Sequence, residues 1–118
     1  MEVVRFDSAE KYQPEEDWNR TSLAGSEAFS FEWFNKPPGH SSPMHQHENE
    51  QVTVVLEGEF TVYTEEEEYR LEKFDSVHFP ANEPHRIENT GEGTSVGLDV
   101  FAPARSFDFW LNREKGGT

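Results

Sequence analysis

The chain has 118 residues, of which 24 are acidic and 10 basic, for a formal net charge of −14, and it contains no cysteine. One domain, spanning 1–118, is all that length supports, and scattered bases argue against nucleic acid or an anionic membrane as partner. The lack of thiols excludes disulfides, a cysteine nucleophile and sulfur-ligated metal, leaving nitrogen and oxygen donors for any ion.

Along the chain, Met1 to Arg5 lacks the basic and apolar regions of a signal peptide, and no later apolar run nears the roughly 20 residues of a membrane span. A cytoplasmic protein is therefore expected. Helical spacing is confined to Ser8 to Lys11 and, at most, the tail. Phe29, Phe31 and Trp33 alternate with Ser30, Glu32 and Phe34 as in a strand, which Lys36-Pro37-Pro38-Gly39 breaks. Val52 to Leu56 is a second strand, and Glu57-Gly58-Glu59 turns it into a hairpin partner at Phe60 to Tyr63. Further short strands are expected at Glu68 to Leu71, Val77 to Phe79, Pro84 to Asn89 and Ser95 to Phe101. About seven strands cut by Gly and Pro, with almost no helical period, predict an all-β sandwich or closed barrel. Leu, Ile, Val and Phe make up only about 21% of the residues, so the ten Phe and three Trp must supply much of the core.

Three histidines stand out. His45 and His47 share one face of an extended segment, Gln51 keeps their parity with an amide oxygen, and His85 follows a Pro-containing turn that can bring it opposite the pair. Three imidazoles and one oxygen suit Zn, Ni, Fe, Mn or Cu(II) and leave positions open for water or substrate. His-x-His alone also fits an exposed strand, so spacing by itself leaves the metal open. Asp99 interrupts the apolar strand Val96 to Phe101 and shares parity with Gly97 and Phe101. Burying a carboxylate is costly, so it faces either a polar cavity or solvent.

These residues resemble the cupin family. Its first motif is matched in register by Gly39, His45, His47 and Gly58, with Gln51 where the usual glutamate falls. Its second is matched by Pro80, His85 and Asn89, with Phe74 and Asn82 in place of glycines. The two motifs span about 39–58 and 74–89. Asn readily adopts the left-handed conformation that Gly supplies, whereas at Phe74 the turn must tolerate a bulky side chain. The resemblance implies a minimal single-domain cupin, a double-stranded β-helix or jelly-roll-like barrel. It also implies one divalent ion held by His45, His47, Gln51 and His85, and a homodimer. The apolar tail Phe107, Phe109, Trp110 and Leu111 is then a candidate for contact with the second copy, or for packing on its own barrel.

The string Asp99-Val100-Phe101-Ala102-Pro103-Ala104-Arg105 looks like the closing segment of the small KdgF-type cupins of pectin and uronate degradation, which open cyclic unsaturated monouronates to linear keto forms. Carried over, Asp99 is the proton-transferring group, Phe101 a pocket wall and Arg105 a clamp for the substrate carboxylate. His40, beside Gly39, is a candidate substrate contact at the pocket mouth. His78, with parity opposite to Val77 and Phe79, reads as a surface residue. Trp18, Trp33 and Tyr63 are available to a sugar site or to the core. The expected function is thus a metal-dependent isomerase acting on a small carboxylated sugar. A noncatalytic ligand-binding cupin and a dioxygenase are the alternatives.

The acids divide evenly, twelve in residues 1–59 and twelve in 60–118, so the charge belongs to the whole surface and suggests a salt-rich, halophilic setting. Screening should relieve its self-repulsion. The melting temperature is expected to be higher in molar KCl than in dilute buffer, and calorimetric scans across a KCl series check this.

Overall fold

The computed structural model describes residues 1–114. After a 3-10 turn at Phe6–Ser8, the strands are β1 (Lys11–Glu15), β2 (Trp18–Ser22), β3 (Ser30–Lys36), β4 (Glu50–Glu57), β5 (Phe60–Tyr63), β6 (Glu68–Leu71), β7 (Ser76–Phe79), β8 (Arg86–Asn89) and β9 (Ser95–Ala102). A terminal helix, α1 (Asp108–Glu114), follows. Every strand pairing is antiparallel. A six-stranded sheet, β1-β2-β3-β9-β4-β7, faces a three-stranded one, β6-β5-β8. The core between them joins Phe34 of β3, Val55 of β4, Phe60 and Val62 of β5, Phe79 of β7 and Ile87 of β8. This is the all-β jelly-roll barrel expected. Its centre is tight enough that β9 presents Gly97 where it crosses Phe34, because a Cβ there would lie 2.4 Å from the Phe34 ring.

The first twenty residues differ from expectation. Instead of a helix at Ser8 to Lys11, the 3-10 turn ends at Ser8 and β1 begins at Lys11. β1 pairs only with β2, through Lys11↔Thr21 and Tyr12↔Arg20, and so forms the sheet edge. An edge position accommodates both its polar sequence and Pro14, which has no N–H to offer a second neighbour. Two strands are thereby added to the seven.

β3 turns a different face inward from the one its aromatics suggest. Glu32, Phe34 and Lys36 are buried, while Phe31 and Trp33 are half-buried on the outside and Phe29 is exposed. Phe6 covers Trp33 edge-on at 5.0 Å. In the tail, Phe107 and Trp110 are buried against their own barrel, with Trp110 5.2 Å from Tyr12, and Phe109 stays exposed.

All four motif positions at which the family favours glycine have positive φ: Gly39 at 82°, Gly58 at 77°, Phe74 at 71° and Asn82 at 64°. Asn82 thus takes the left-handed conformation expected of it. Phe74 takes it with an exposed side chain, which leaves the backbone strain without burial to offset it. Phe74→Gly should stabilise the fold by about 0.5–1 kcal/mol, the left-handed penalty less the extra unfolded-state freedom of glycine. Urea denaturation of the variant beside the wild type checks the sign.

Candidate metal centre and cavity

His45 and His85 are brought face to face by the backbone. Each donates its N–H to the other's carbonyl at 2.9 Å, an isolated antiparallel bridge that puts both rings on the barrel interior, 4.4 Å apart. His47 lies 5.1 Å from His85, ring to ring, and one ring nitrogen from each of the three falls within 4.8 Å of the others. Each ring is oriented by a carbonyl two residues away: Nδ1 of His45 bonds Pro43 at 2.7 Å, Nδ1 of His47 bonds Asn49 at 2.9 Å and Nδ1 of His85 bonds Glu83 at 2.8 Å. A carbonyl only accepts, so Nδ1 carries the proton in all three, which leaves Nε2 as the nitrogen available to an ion. Burial pushes His85 down to about 4 and lowers His45 as well, so both rings are neutral at neutral pH.

Two observations fit this set to a cation. The Nε2 of His85 is buried with no hydrogen-bond partner, under a ring that stacks on Phe79 at 4.2 Å. The Nε2 of His47 faces the amide oxygen of Gln51 at 3.0 Å. That oxygen is fixed in place because the Gln51 amide nitrogen donates to Thr53 Oγ1 at 2.9 Å and to Asp99 Oδ1 at 3.1 Å. An amide oxygen only accepts, so this contact takes a positive centre between the two atoms, a proton on Nε2 or a cation, and neighbouring ligands at about 2.1 Å from one ion are about 3 Å apart. The residues present therefore fit a divalent ion with nitrogen and oxygen preference.

Asp99 is buried, with one charged partner and two neutral ones. Its Oδ1 accepts from Thr53 Oγ1 at 2.5 Å and from Gln51, and its Oδ2 accepts from Arg20 at 2.8 Å. The same Arg20 Nη1 donates to Glu32 Oε1 at 2.8 Å. Glu32 also receives Arg105, through Nη2 at 3.0 Å and Nε at 3.4 Å, and the indole N–H of Trp110 at 2.9 Å. The Arg105 fork, expected to grip a substrate, thus already grips Glu32. It also stacks over Phe101 at 3.9 Å.

The comparisons with known proteins agree with this geometry. The profile of the cupin domain matches residues 33–101. This chain belongs to the cupin family. The structure of KdgF from Halomonas sp. superposes with a TM-score of 0.80 at 26% identity, covering 92% of this chain and 99% of that one. A RmlC-like cupin from Shewanella frigidimarina gives 0.80 at 24% identity, covering 92% and 96%, a likeness of fold. Among curated proteins, auxin-binding protein T92 of Nicotiana tabacum is 29% identical over 82% of this chain and 65% of its own length. Auxin-binding protein 1 of Arabidopsis thaliana is 35% identical over 46% of the chain and 32% of its length. The cupin thus spans only about one to two thirds of these curated relatives.

In this cupin a cavity of about 630 Å³ brings together His45, His47, Gln51, Asp99, Phe101, Arg105 and His40. His85 backs the same centre from behind, against Phe79. His40 stands at the far side, its ring 4.7 Å from Trp18. His78 is on the surface, paired with Glu50 at 2.8 Å, and Trp33 and Tyr63 lie outside the cavity. Sequence reasoning missed Arg20, Glu32, Lys36, Tyr12 and Trp110. The signal available was the shared parity of Glu32, Phe34 and Lys36, which the neighbouring Phe31 and Trp33 obscured.

Lys36 is buried on the cavity wall, and its Nζ donates only to the Ile87 carbonyl, at 3.2 Å. Burial, with Arg20 adding repulsion, pushes it down to about 7 from the ordinary 10.5. Below pH 7 the folded protein bears the full cost of the buried charge. Between 7 and 10.5 the unfolded chain alone keeps the proton, so this group's contribution to stability rises with pH. Lys36→Met should accordingly be more stable than wild type at pH 6, with the gap closing towards pH 10, as denaturant titrations at several pH values will read.

Proposed function

We propose that this cupin is a metal-dependent enzyme of the isomerase type, opening or ketonising a small carboxylated sugar of the unsaturated uronate kind. The observation that carries the reading is the meeting, in one cavity, of three convergent imidazoles with the buried carboxylate of Asp99 and the Phe101–Arg105 wall. The likeness to the Halomonas KdgF over nearly the full chain supports it.

His45, His47, His85 and Gln51 are the proposed ligands of one divalent ion: Zn, Ni, Fe or Mn. When bound, that ion supplies Lewis acidity to an oxyanion developing on the substrate. Gln51 in place of a glutamate leaves the centre one unit less negative.

The reaction is a net proton relocation. The anomeric hydroxyl loses its proton, the bond from ring oxygen to anomeric carbon breaks, and C1 becomes an aldehyde. The ring oxygen leaves as an enolate, and a proton returned to the alkene carbon remote from that oxygen, C4, leaves C5 as the ketone. Asp99 is the proposed group that takes and returns that proton. Phe101 and Arg105 shape the wall beside it, and the aromatic side of the cavity excludes water.

A second reading is supported by the lining itself. Tyr12, Trp18, Phe101, Phe109 and Trp110 make much of the cavity aromatic, which suits a small aromatic carboxylate bound without turnover. The similarity to proteins named for auxin binding supports it too. Either reading includes a homodimer, with exposed Phe109 as a contact, and gel filtration in high salt reads the assembly.

Asp99→Asn discriminates the two functions. Asn keeps an oxygen for Thr53 and Gln51, so the metal content of the purified protein should stay unchanged, while turnover of an unsaturated uronate falls at least about a hundredfold. Elemental analysis and an assay for loss of the enol ether absorbance measure the two quantities. Undiminished turnover would remove Asp99 from the chemistry, and no turnover by the wild type would favour the binding protein.

A further inference from the structure

The cationic groups around the cavity outnumber their carboxylate partners, and the buried one without a partner is Lys36. Of the cations that line the cavity, Arg20 lies between Glu32 and Asp99 at 2.8 Å from each, and Arg105 is held by Glu32. Two guanidinium groups therefore meet two carboxylates. Arg113, on α1, is exposed and stacks on Phe109 and Trp110 at the mouth. Lys36 is different. It is 2% exposed, and among the described residues no carboxylate lies within ion-pair distance of it.

An ammonium has three donors, and the Ile87 carbonyl takes one. Nζ is 5.8 Å from the ring centroids of both Trp18 and Phe34, Ser42 Oγ shares the Ile87 carbonyl at 3.5 Å, and the nearest charges are Arg20, which opposes the ammonium, and Asp99, which favours it from beyond ion-pair distance. Beside it, His40 keeps a buried Nδ1 with no partner, on a ring packed against Trp18. An unpaired lysine and an unpaired imidazole nitrogen, both buried on the wall of one cavity, are costly unless something enters to satisfy them. Position adds to this. Ile87, whose carbonyl Lys36 holds, is two residues beyond His85, about 7 Å along an extended chain, and Lys36 lines the same cavity as His45 and His47.

We infer that Lys36, with the Nδ1 of His40 beside it, is the anion-recognition end of the cavity, taking the carboxylate of a small ligand whose other oxygens face the three histidines. This rests on the carboxylated ligand proposed above and assigns its carboxylate to Lys36, leaving Arg105 to Glu32. The anion supplies the missing counter-charge, and its lone pairs accept the free lysine protons and a proton on His40 Nδ1. The Trp18 face flanks the same spot and suits the apolar edge of a sugar ring.

Calorimetric titration tests the assignment with D-galacturonate and with D-galactose, its uncharged counterpart, into the metal-loaded wild type, Lys36→Met and Lys36→Gln. The wild type should bind the uronate at least about tenfold more tightly than the hexose, the worth of one charge-assisted contact. Both variants should lose that discrimination while keeping their metal content and their affinity for the hexose. Melting temperatures of the same samples separate lost recognition from lost folding, because Lys36→Met is expected to melt higher than wild type. Variants that still discriminate overturn the assignment, as does a wild type that binds both sugars equally or neither. Failure of the functional reading is distinct: it shows as a three-histidine centre that takes up no metal in elemental analysis, or as a wild type without turnover.

Discussion

The organisation of this cupin depends on Arg20. In the β3–β9 register Glu32 lies directly opposite Asp99, and both side chains point into the barrel. Two carboxylates in that relation repel strongly where water cannot screen them. One guanidinium nitrogen reaching both at 2.8 Å turns the clash into a bridge. Burial opposes the Arg20 charge, yet Asp99 and Glu32 outweigh it and hold the group protonated. Such a cluster is worth little as net stabilisation compared with an apolar core. What it provides is position. Four adjacent strands each contribute a polar side chain to one interior row: Arg20 from β2, Glu32 from β3, Asp99 from β9, and Thr53 with Gln51 from β4. At one end the row reaches the terminal helix through Trp110, and at the other it orients the amide that faces His47. The position of the tail and the orientation of the three-histidine centre are thus set by one chain of hydrogen bonds.

The same row divides the molecule electrostatically. Its exterior carries the large excess of acid that gives the net charge of −14. Four of the ten basic residues line the cavity, Arg20, Lys36, Arg105 and Arg113, and the carboxylates that meet them are Asp99 on its wall and Glu32 behind the two inner arginines. A negative shell around a positive pocket slows the approach of anions and favours those that arrive, so the field outside and the selectivity inside are separate properties. Acidity read from composition describes the shell. The candidate site is lined instead by the minority charges.

What was legible in the sequence follows from how each feature is encoded. The shared face of His45, His47 and Gln51 could be read from local spacing, and it took the resemblance to the two cupin motifs to join His85, which the structure groups with the other two histidines; the turns with positive φ at Gly39, Gly58 and Asn82 belong to the same motifs. The strands from β3 onwards could be read because apolar alternation marks them. β1 and β2 could not, since an edge strand such as Lys-Tyr-Gln-Pro-Glu needs only one paired side and little burial. The interior row was hidden for the opposite reason. Glu32 and Lys36 lie at parity that a hydrophobicity count assigns to solvent, and the aromatics Phe31 and Trp33 beside them carry the stronger apolar signal. Only the register of four strands puts Arg20 between Glu32 and Asp99, and register across that many strands is not a local property of any segment. The fork of Arg105 illustrates the same gap: the residue was identifiable, its partner was not.

The departure of residue 51 from the usual glutamate then has a physical cause. The Gln51 amide nitrogen donates to Asp99 Oδ1 and Thr53 Oγ1, while its oxygen turns to His47. Thr53 spends its own proton on Asp99, so it can only accept from residue 51. A glutamate side chain in that place would set an oxygen against both acceptors and a second carboxylate against Asp99, with Arg20 already occupied by Asp99 and Glu32. An amide is the group of the same shape that donates on one side and accepts on the other. Gln51 and Asp99 are therefore a matched pair: the carboxylate stands on β9, one strand away from Gln51 on β4, and the amide between them links the position of Asp99 to that of His47.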